Sequence, residues 1–288
     1  MNEMKKVKFS KLNGQGNDFI IINATTGRLD LSKIQIIKMC NKNYGVGADG
    51  LILVRPSEVS DLKMEYYNND GSIAEMCGNG IRCLARFAYE NNLIKSKNIG
   101  IETLAGIKKI SIDIEDNEVV NIKVDMGTPE FRPENIPVNI KNKTEVFNHK
   151  ISIDSKEFFI NCVSMGNPHC VIFLQEGEDI NTIPLSKWGF KLENYKIFPN
   201  KTNVEFVQIK NDRELNMRVW ERGIGETLAC GTGACAAAVC AIKLKKVKGN
   251  NIIVNLMGGK LNVIWDPSFQ DVFLEGRVDH NFDGEYFI

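Results

Sequence analysis

Two cysteines stand in the same short motif, one in each half of the chain. Cys77 begins Cys-Gly-Asn-Gly, and Cys230 begins Cys-Gly-Thr-Gly. Each motif opens an apolar run, so each cysteine is predicted at a helix N-terminus, where unpaired N–H groups and the helix dipole favour thiolate over thiol. Such a sulfur can act as a base or a nucleophile. The flanking glycines lack Cβ atoms, so backbone amides can approach and bind an anion such as a carboxylate.

The residues before the two motifs also match without a gap. Residues 64–70 lie over residues 217–223, and both segments predict a strand, a polar loop and then the cysteine. A second echo relates residues 16–22 to residues 166–172, where a Gly-Asn loop runs into an apolar strand. The repeat therefore predicts two similar halves that face each other.

A single cysteine of this kind is more often a small core residue, and its neighbouring glycines then only make a turn. The duplication argues against that alternative, because packing residues of this size are interchangeable with Ala or Ser across a repeat. One site served by two thiols is therefore the hypothesis. Five cysteines lack this setting and are interpreted as core residues: Cys40, Cys83, Cys162, Cys235 and Cys240.

The composition indicates a protein that binds a small molecule. The 288 residues are 43% hydrophobic, enough for two domains, and Lys plus Arg equals Asp plus Glu at 36 each. This balance argues against nucleic acid or an anionic membrane as a partner. No apolar run suits a signal peptide or a membrane span, so a cytoplasmic location with free thiols is expected. A metal site is not expected, because the chain has three histidines and no Cys-x-x-Cys pair.

Strands are predicted to dominate the secondary structure, with few clear helices. Apolar helical runs cover residues 81–90 and 234–242, and the second is apolar on every side, which predicts a buried helix. Lysines follow it, with Gly249 expected as its stop. A boundary is placed near residues 126–129, where Gly and Pro end a strand. Strand-like runs occupy residues 19–22, 51–54, 110–114, 119–124, 158–163, 171–174 and 204–209.

Over nearly its whole length the chain resembles the diaminopimelate epimerases. The resemblance rests on Gly-Gln-Gly-Asn-Asp-Phe at 14–19, residues 68–82 around Cys77, Ser-Met-Gly-Asn-Pro-His-Cys at 164–170, and residues 221–233 with Cys230. These blocks, in this order, are highly specific. The resemblance implies a cofactor-independent enzyme that interconverts LL- and meso-diaminopimelate on the route to lysine and peptidoglycan.

The resemblance also implies the fold. It is a mixed α/β (α+β) fold of two pseudo-symmetric domains, each a curved, mainly antiparallel sheet wrapped around a central helix, with the active site in the cleft between them. The last strand returns to the first domain in this family. The expected domains are therefore residues 1–126 plus 276–288, and residues 127–275.

The family chemistry assigns the two thiols opposite roles. Cys77 and Cys230 exchange the roles of base and acid with reaction direction, and pyridoxal phosphate, the usual carbanion sink, is not expected. His169 and Glu221 match residues thought to help ionise the thiols. Taken alone, a histidine after proline is more often a surface residue, and Glu221 beside Arg222 more often a solvated pair.

The resemblance further implies the substrate contacts. Arg222 would bind the distal carboxylate of diaminopimelate with its guanidinium fork. Gly78, Asn79, Gly231 and Thr232 would bind the reacting carboxylate, although Asn79 and Thr232 also suit helix capping. Further contacts are expected from Glu221 and from four amides that would otherwise be interpreted as turn residues: Asn17, Asn68, Asn167 and Asn203. Gly50 stands where some members carry a contacting Gln, so that contact is in doubt.

Two alternatives are weighed against this interpretation. A proline or hydroxyproline racemase uses the same paired thiols, but a proline pocket has no distal carboxylate for Arg222 and the asparagines to bind. A non-catalytic redox protein, in which the thiols sense oxidants, would not exchange an α-hydrogen with solvent. The sequence leaves the oligomeric state open, including a homodimer.

Overall fold

Strands make up most of the secondary structure in the computed structural model, which describes residues 6–27, 29–74 and 76–288. The strands are β1 (Lys6–Gly14), β2 (Asn17–Asn23), β3 (Gly50–Arg55), β4 (Leu62–Asn68), β5 (Ile73–Ala74), β6 (Asn98–Thr103), β7 (Gly106–Glu115), β8 (Glu118–Gly127), β9 (His149–Ile153), β10 (Lys156–Ser164), β11 (Pro168–Phe173), β12 (Asn203–Asn211), β13 (Glu214–Glu221), β14 (Gly225–Thr227), β15 (Asn251–Leu256), β16 (Gly259–Trp265), β17 (Val272–Gly276) and β18 (Asp279–Phe287). The helices are α1 (Lys33–Cys40), α2 (Gly78–Glu90), α3 (Leu185–Glu193) and α4 (Gly231–Lys243), with a 3₁₀ turn at Ile180–Thr182.

The chain divides into two compact units. One holds residues up to Asp125 together with Gly276–Ile288, and the other holds Met126–Glu275. The division falls one residue from the boundary placed after Met126 in the sequence. That each unit is an epimerase domain stays a prediction.

The first unit has the strand order β18-β1-β2-β3-β4-β6-β7-β8, with the short β5 on β4. Neighbours are antiparallel except for β2 with β3 and β4 with β6. These two parallel steps require crossover connections, which contain α1 and α2 respectively.

The second unit repeats this topology. Its order is β9-β10-β11-β12-β13-β15-β16-β17, with β14 on β13. The parallel steps are β11 with β12 and β13 with β15, and their crossovers contain α3 and α4. The predicted fold class is confirmed, and every strand-like run of the sequence lies in or overlaps an observed strand.

Helices α2 and α4 are the central helices of their units. Helix α2 packs against β1, β2, β3 and also β7, and α4 packs against β10 to β13, β15 and β16. One helix can touch strands so far apart in the order only if the sheet curves around it. Residues Ala234–Ala241 are fully buried, which confirms the buried helix predicted from the apolar run. None of the helices in the described ranges is long and apolar enough to span a membrane.

Helices α1 and α3 cover the other face of each sheet. Ile36 and Met39 of α1 pack in one core with Leu51 and Leu53 of β3. The intervening Ile52 faces α2, because alternate strand residues point to opposite faces. Every residue of β3 up to Val54 is buried for this reason. In the second unit, α3 and its Trp188 occupy the equivalent place.

The end of α4 differs from the prediction. The helix stops at Lys243, Leu244 is its C-cap, and Lys245 turns the chain with a φ of 54°. Gly249 also has a positive φ but lies in the following loop. A lysine therefore occupies the left-handed position that the sequence assigned to glycine, and the lysine-rich segment belongs to the turn.

A substitution on α3 tests its packing against β13. A Cβ on Gly189 would lie 2.5 Å from Cγ of Trp220, whose Nε1–H donates to Glu193 and fixes the ring. Helix propensity alone predicts that Gly189→Ala stabilises the protein by about 1 kcal/mol. We expect the clash of the new Cβ with Trp220 to outweigh the gain in helix propensity, so the free energy of unfolding should fall by about 1–3 kcal/mol. Urea unfolding measures this, with Ser186→Ala on the same helix as control. A gain in stability for Gly189→Ala would contradict the packing described here.

Candidate active site

Cys77 is the N-cap residue of α2. Its backbone is extended, with φ −133° and ψ 121°, and its side chain makes no capping hydrogen bond. The carbonyl of Cys77 accepts from the N–H of Ile81, the first bond of the helix. The N–H groups of the first turn therefore have no partner within the helix, as at any helix start. The predicted position of this thiol is the observed one.

Asn17 lies beside the Cys77 thiol. The sulfur is 3.8 Å from Oδ1 of Asn17, and Nδ2 of Asn17 donates to Asp49 at 3.0 Å. Asp49 also accepts from the N–H of Asp18 and pairs with Lys42. Because Asp49 holds the amide nitrogen, the amide oxygen faces the thiol. The sequence analysis missed Asp49, which lies 32 residues from Asn17.

Asn79 does not cap the helix. Its side chain is 2% exposed, and its Oδ1 accepts from Arg82 at 2.9 Å. The fully buried Arg82 guanidinium also donates to the Gly78 carbonyl and to Gln15. These contacts tie the first turn of α2 to the loop between β1 and β2. The capping alternative for Asn79 is therefore wrong, and what Asn79 offers a ligand is its backbone N–H.

Asn68 and Gly50 lie opposite each other on β4 and β3. Nδ2 of Asn68 donates to Oγ of Ser72 at 2.9 Å, which holds it within its own turn. A Cβ on Gly50 would lie 2.5 Å from the Tyr66 ring. A glutamine side chain therefore has no room at position 50 in this structure.

Cys230 is the N-cap residue of α4, with φ −130° and ψ 113° and no side-chain capping bond. This backbone matches that of Cys77, as the repeat predicts. Cys230 is more buried, at 7% exposure, and its sulfur lies 3.5 Å from Oγ1 of Thr232. Burial, reinforced by the charges of Glu221 and Glu205, raises the pKa of the Cys230 thiol, while Thr232 and the N–H of Gly233 oppose the rise.

Glu221 lies at the end of β13, close to Cys230. It accepts a hydrogen bond from Thr227 at 2.5 Å, and its charge acts on the Cys230 thiol. Burial raises the pKa of Glu221, against the effects of Thr227, His169 and Cys230. The half-buried carboxylate is thus part of the Cys230 environment. The alternative of a solvated pair with Arg222 is wrong.

His169 lies within β11 and is fully buried. Its Nδ1 is 2.6 Å from Oε1 of Glu205, and its Nε2 is 2.9 Å from Oδ1 of Asn167. The expectation of a surface histidine is therefore wrong. The sequence analysis missed Glu205, although it stands inside one of the predicted strands.

Asn203 joins two backbone segments next to Arg222. Its Nδ2 donates to the Pro168 carbonyl, and its Oδ1 accepts from the N–H of Arg222, both at 2.9 Å. The Arg222 guanidinium is exposed and donates to the carbonyl of Asn200. It forms no ion pair with a carboxylate within the described ranges. Arg222 is therefore a cation whose side chain is available to a carboxylate ligand.

The five cysteines interpreted as core residues are all buried. Burial raises the pKa of Cys40 to about 12 and also raises the pKa values of Cys83, Cys170 and Cys240. The thiols of Cys40, Cys83, Cys170 and Cys240 therefore stay protonated at neutral pH. In the part of the chain that the structure describes, no group of three or more His, Cys, Asp or Glu side chains is placed to hold a metal ion.

Each unit thus presents a thiol and a row of backbone N–H groups at the start of its central helix. The N–H groups suit a carboxylate, and the thiol suits proton transfer at a neighbouring carbon. The first unit adds Asn17 beside its thiol. The second adds Glu221, and it brings His169 together with Asn167.

Comparisons with known proteins show which proteins this chain is similar to. A family described as diaminopimelate epimerase matches residues 9–132 and 161–280. The diaminopimelate epimerase of Halothermothrix orenii is 48% identical over 287 residues, covering 98% of this chain and 99% of that protein. The one from Acetivibrio thermocellus is 42% identical over 280 residues, covering 97% and 98%.

Solved structures share the fold at low sequence identity. A hydroxyproline epimerase from Agrobacterium vitis with bound trans-4-hydroxy-L-proline superposes with a TM-score of 0.72 at 14% identity, covering 100% of this chain and 94% of that one. A PhzF-family phenazine biosynthesis protein from Bacillus anthracis gives 0.70 at 18% identity, covering 99% and 100%. At these identities the likeness shows the fold alone.

The difference in burial predicts an order of thiol reactivity. At pH 8, iodoacetamide should modify half-buried Cys77 at least about tenfold faster than Cys40, because Cys40 is inaccessible and its pKa is raised to about 12. Mass mapping of the native protein over time measures the order, and urea-unfolded protein is the control in which all thiols should react. Modification of Cys40 before Cys77 would contradict the burial described here.

Proposed function

Because the chain belongs to the diaminopimelate epimerase family, we propose that it interconverts LL- and meso-diaminopimelate, a step that supplies lysine and peptidoglycan precursors. The observation that supports this most directly is the repeated helix start. Cys77 and Cys230 occupy the same N-cap position with nearly the same φ and ψ. A reaction that must remove a proton from one face of a carbon and deliver one to the other uses two such thiols.

The proposed reaction begins with one cysteine as thiolate and the other as thiol. The thiolate takes the α-proton, and the electron pair of the broken C–H bond passes into the adjacent carboxylate. The thiol then gives its proton to the opposite face, so each sulfur ends in the state in which the other began. The roles of Cys77 and Cys230 exchange when the reaction runs backwards.

The carbanion is stabilised by protein dipoles in this proposal. The first-turn N–H groups at Gly78, Asn79, Gly231 and Thr232 donate to the reacting carboxylate, where negative charge develops. The Oδ1 of Asn79 already accepts from Arg82, so the backbone provides the contact there. Thr232 also lies 3.5 Å from the Cys230 sulfur, close enough to stabilise its thiolate.

Glu221 and His169 are proposed to control the ionisation of Cys230. The charge of Glu221 raises the pKa of this thiol, and burial raises the pKa of the Glu221 carboxyl group. A carboxylate with a raised pKa is a better proton acceptor at neutral pH than an exposed one. His169 lies close enough to act on the charge of Glu221.

Substrate selection is assigned to Arg222 and to the asparagines. The distal carboxylate of diaminopimelate suits the exposed guanidinium fork of Arg222. Asn203 holds the backbone of Arg222, so it positions the fork even if its own amide makes no substrate contact. Asn17, Asn68 and Asn167 are proposed as further contacts.

The names of the relatives favour this substrate over proline or hydroxyproline. The structural likeness to a hydroxyproline epimerase concerns the fold, at 14% identity. We also propose a cytoplasmic location, because catalysis by two thiols requires that both stay reduced. A homodimer stays a prediction, which analytical ultracentrifugation would test.

Isotope incorporation tests the proposed reaction. Incubation with LL-diaminopimelate in D₂O should place deuterium at one α-carbon of the meso product, because the donating thiol has exchanged with solvent. Mass spectrometry with chiral separation measures both outcomes.

Cys77→Ala and Cys230→Ala should each reduce turnover below detection while the far-UV circular dichroism stays unchanged. Product that retains the substrate proton entirely would rule out the two-base mechanism, and exchange on proline instead would favour the racemase alternative.

The assignment of Arg222 predicts a loss of binding more than of chemistry. Arg222→Ala should raise KM for diaminopimelate about ten- to hundredfold, because the distal carboxylate loses a charged, bidentate partner worth about 1.5–3 kcal/mol. Arg222→Lys, which keeps the charge without the fork, should fall between. Initial rates over a range of substrate concentrations measure the effect. An unchanged KM in Arg222→Ala would remove this residue from the site.

A further inference from the structure

Glu205 is a fully buried carboxylate and the third residue of β12. Its Oε1 lies 2.6 Å from Nδ1 of His169, and both side chains have zero exposure. Burial raises the pKa of Glu205, and the neighbouring His169 opposes that rise. In its ionised form the carboxylate can only accept, so this contact then requires the proton to be on Nδ1. The second oxygen, Oε2, has no hydrogen-bond partner among the residues that the structure describes. A buried carboxylate held through one oxygen calls for an explanation beyond packing.

The corresponding place in the first unit is apolar. A Cβ built on Gly80 of α2 would lie 3.1 Å from Ile52 and 3.2 Å from Phe19. A Cβ built on Gly233, which stands at the same point of α4, would lie 2.9 Å from Oε1 of Glu205. The glycine at the fourth position from the N-cap cysteine, counting the cysteine as the first, therefore faces hydrocarbon in the first unit and a carboxylate in the second.

The strand registers show that His169 and Glu205 occupy the positions of Phe19 and Ile52 in the first unit. Phe19 pairs with Gly50 across β2 and β3, as His169 pairs with Asn203 across β11 and β12. Glu205 follows two residues after its paired position, as Ile52 does in β3. The pair of His169 and Glu205 thus replaces a Phe and Ile pair.

A gain in stability does not explain this pair. Burying a charged pair is often no better than burying hydrocarbon of similar volume, and it can be worse. The first unit demonstrates that the fold accepts the apolar pair. Buried, charge-coupled groups of this kind are a mark of functional sites, so a role in the chemistry is the better explanation.

Glu205 also lies close to the catalytic thiol. The point at which Gly233 would carry a Cβ is 2.9 Å from Oε1 of Glu205 and 3.4 Å from the sulfur of Cys230. Gly233 therefore lets the carboxylate, the imidazole and the helix start pack together. Titratable groups near Glu205 lie on three of the elements packed against β12: His169 and Cys170 on β11, Glu221 on β13, and Cys230 and Cys240 at the start of and within α4.

We propose that Glu205 is a positioning residue for proton transfer at Cys230: it holds the proton on Nδ1 of His169. The nitrogen that gives up a proton and takes it back is then Nε2, whose N–H donates to Oδ1 of Asn167 at 2.9 Å. When Nε2 takes a proton, the Glu205 carboxylate balances the imidazolium charge. The Nδ1 proton stays where it is throughout. This proposal rests on the function proposed above, because it assigns a role within that reaction.

A double-mutant cycle tests whether Glu205 acts through His169. Glu205→Gln should lower kcat about a hundredfold and change KM for diaminopimelate less than about threefold, similar to the loss of an orienting partner elsewhere. In a His169→Gln background the same change should lower kcat less than about threefold. Glu193→Gln is the matched control. Glu193 is also a buried carboxylate of this unit, at 3% exposure, but its partners are Trp220, Gly223 and Lys201. The effect of Glu193→Gln on kcat should therefore add to that of His169→Gln.

A spectroscopic measurement separates this proposal from the proposed function. In the ¹⁵N-histidine-labelled protein, the Nδ1 proton of His169 should give a downfield, slowly exchanging resonance that Glu205→Gln shifts upfield and Glu193→Gln leaves in place. This observation needs no substrate. If the protein does not epimerise diaminopimelate, the proposed function fails while the link from Glu205 to His169 is still decided. If it does epimerise, then additive losses in the cycle, or an unmoved resonance, would overturn the role of Glu205 alone.

A second variant guards against a simple folding defect. The double substitution Glu205→Ile with His169→Phe recreates the apolar pair of the first unit. It should fold with a thermal midpoint at or above that of the wild type and show at least a hundredfold lower kcat. Near wild-type turnover in this variant would overturn the proposal.

Discussion

The first turn of a buried helix carries N–H groups that the helix itself cannot pair, and both central helices begin under this constraint. Ordinary proteins satisfy these donors with a serine, threonine or aspartate cap. Here the N-cap of each central helix is a cysteine whose side chain makes no capping bond. The cap therefore leaves these donors unpaired and holds the thiol next to them, and under the proposed function the reacting carboxylate accepts from them. The curved sheets serve this arrangement, because only strands that wrap the helix can bury it up to its first residue.

The two units place different charged groups around the starts of their central helices. Helix α2 contains the fully buried Arg82, whose hydrogen bonds to Gly78, Asn79 and Gln15 go to neutral acceptors. Helix α4 carries Cys235 at the matching position, five residues after its N-cap. The first unit thus places a cation in its central helix, whereas the second surrounds its thiol with carboxylates. Two chemically identical side chains at matching positions are in this way given different surroundings.

The sequence predicted the features that repeat and missed those that break the repeat. The strand cores and the two helix starts could be predicted because the spacing of apolar residues, the glycines and the cysteines recur in both halves. The short helices α1 and α3 were missed, since eight and nine residues give too little pattern. Asp49 and Glu205 were missed for a physical reason. Each acts on a partner more than thirty residues away in the chain, and a lone acidic residue in or next to an apolar strand looks like any other edge residue.

The loop after β13, which contains Arg222, is anchored differently from the turn after β4 in the first unit. In the first unit Gly50 is packed against the Tyr66 ring, and the turn after β4 is held locally by Asn68 and Ser72. In the second unit Asn203 replaces that glycine and fixes the N–H of Arg222. Glu193 fixes the next N–H in the loop. The exposed guanidinium therefore stands on a backbone anchored to buried groups, which keeps its fork in one orientation. Under the proposed function, the second unit carries both the selection of the distal carboxylate and the control of its thiol, and the first supplies the matching thiol.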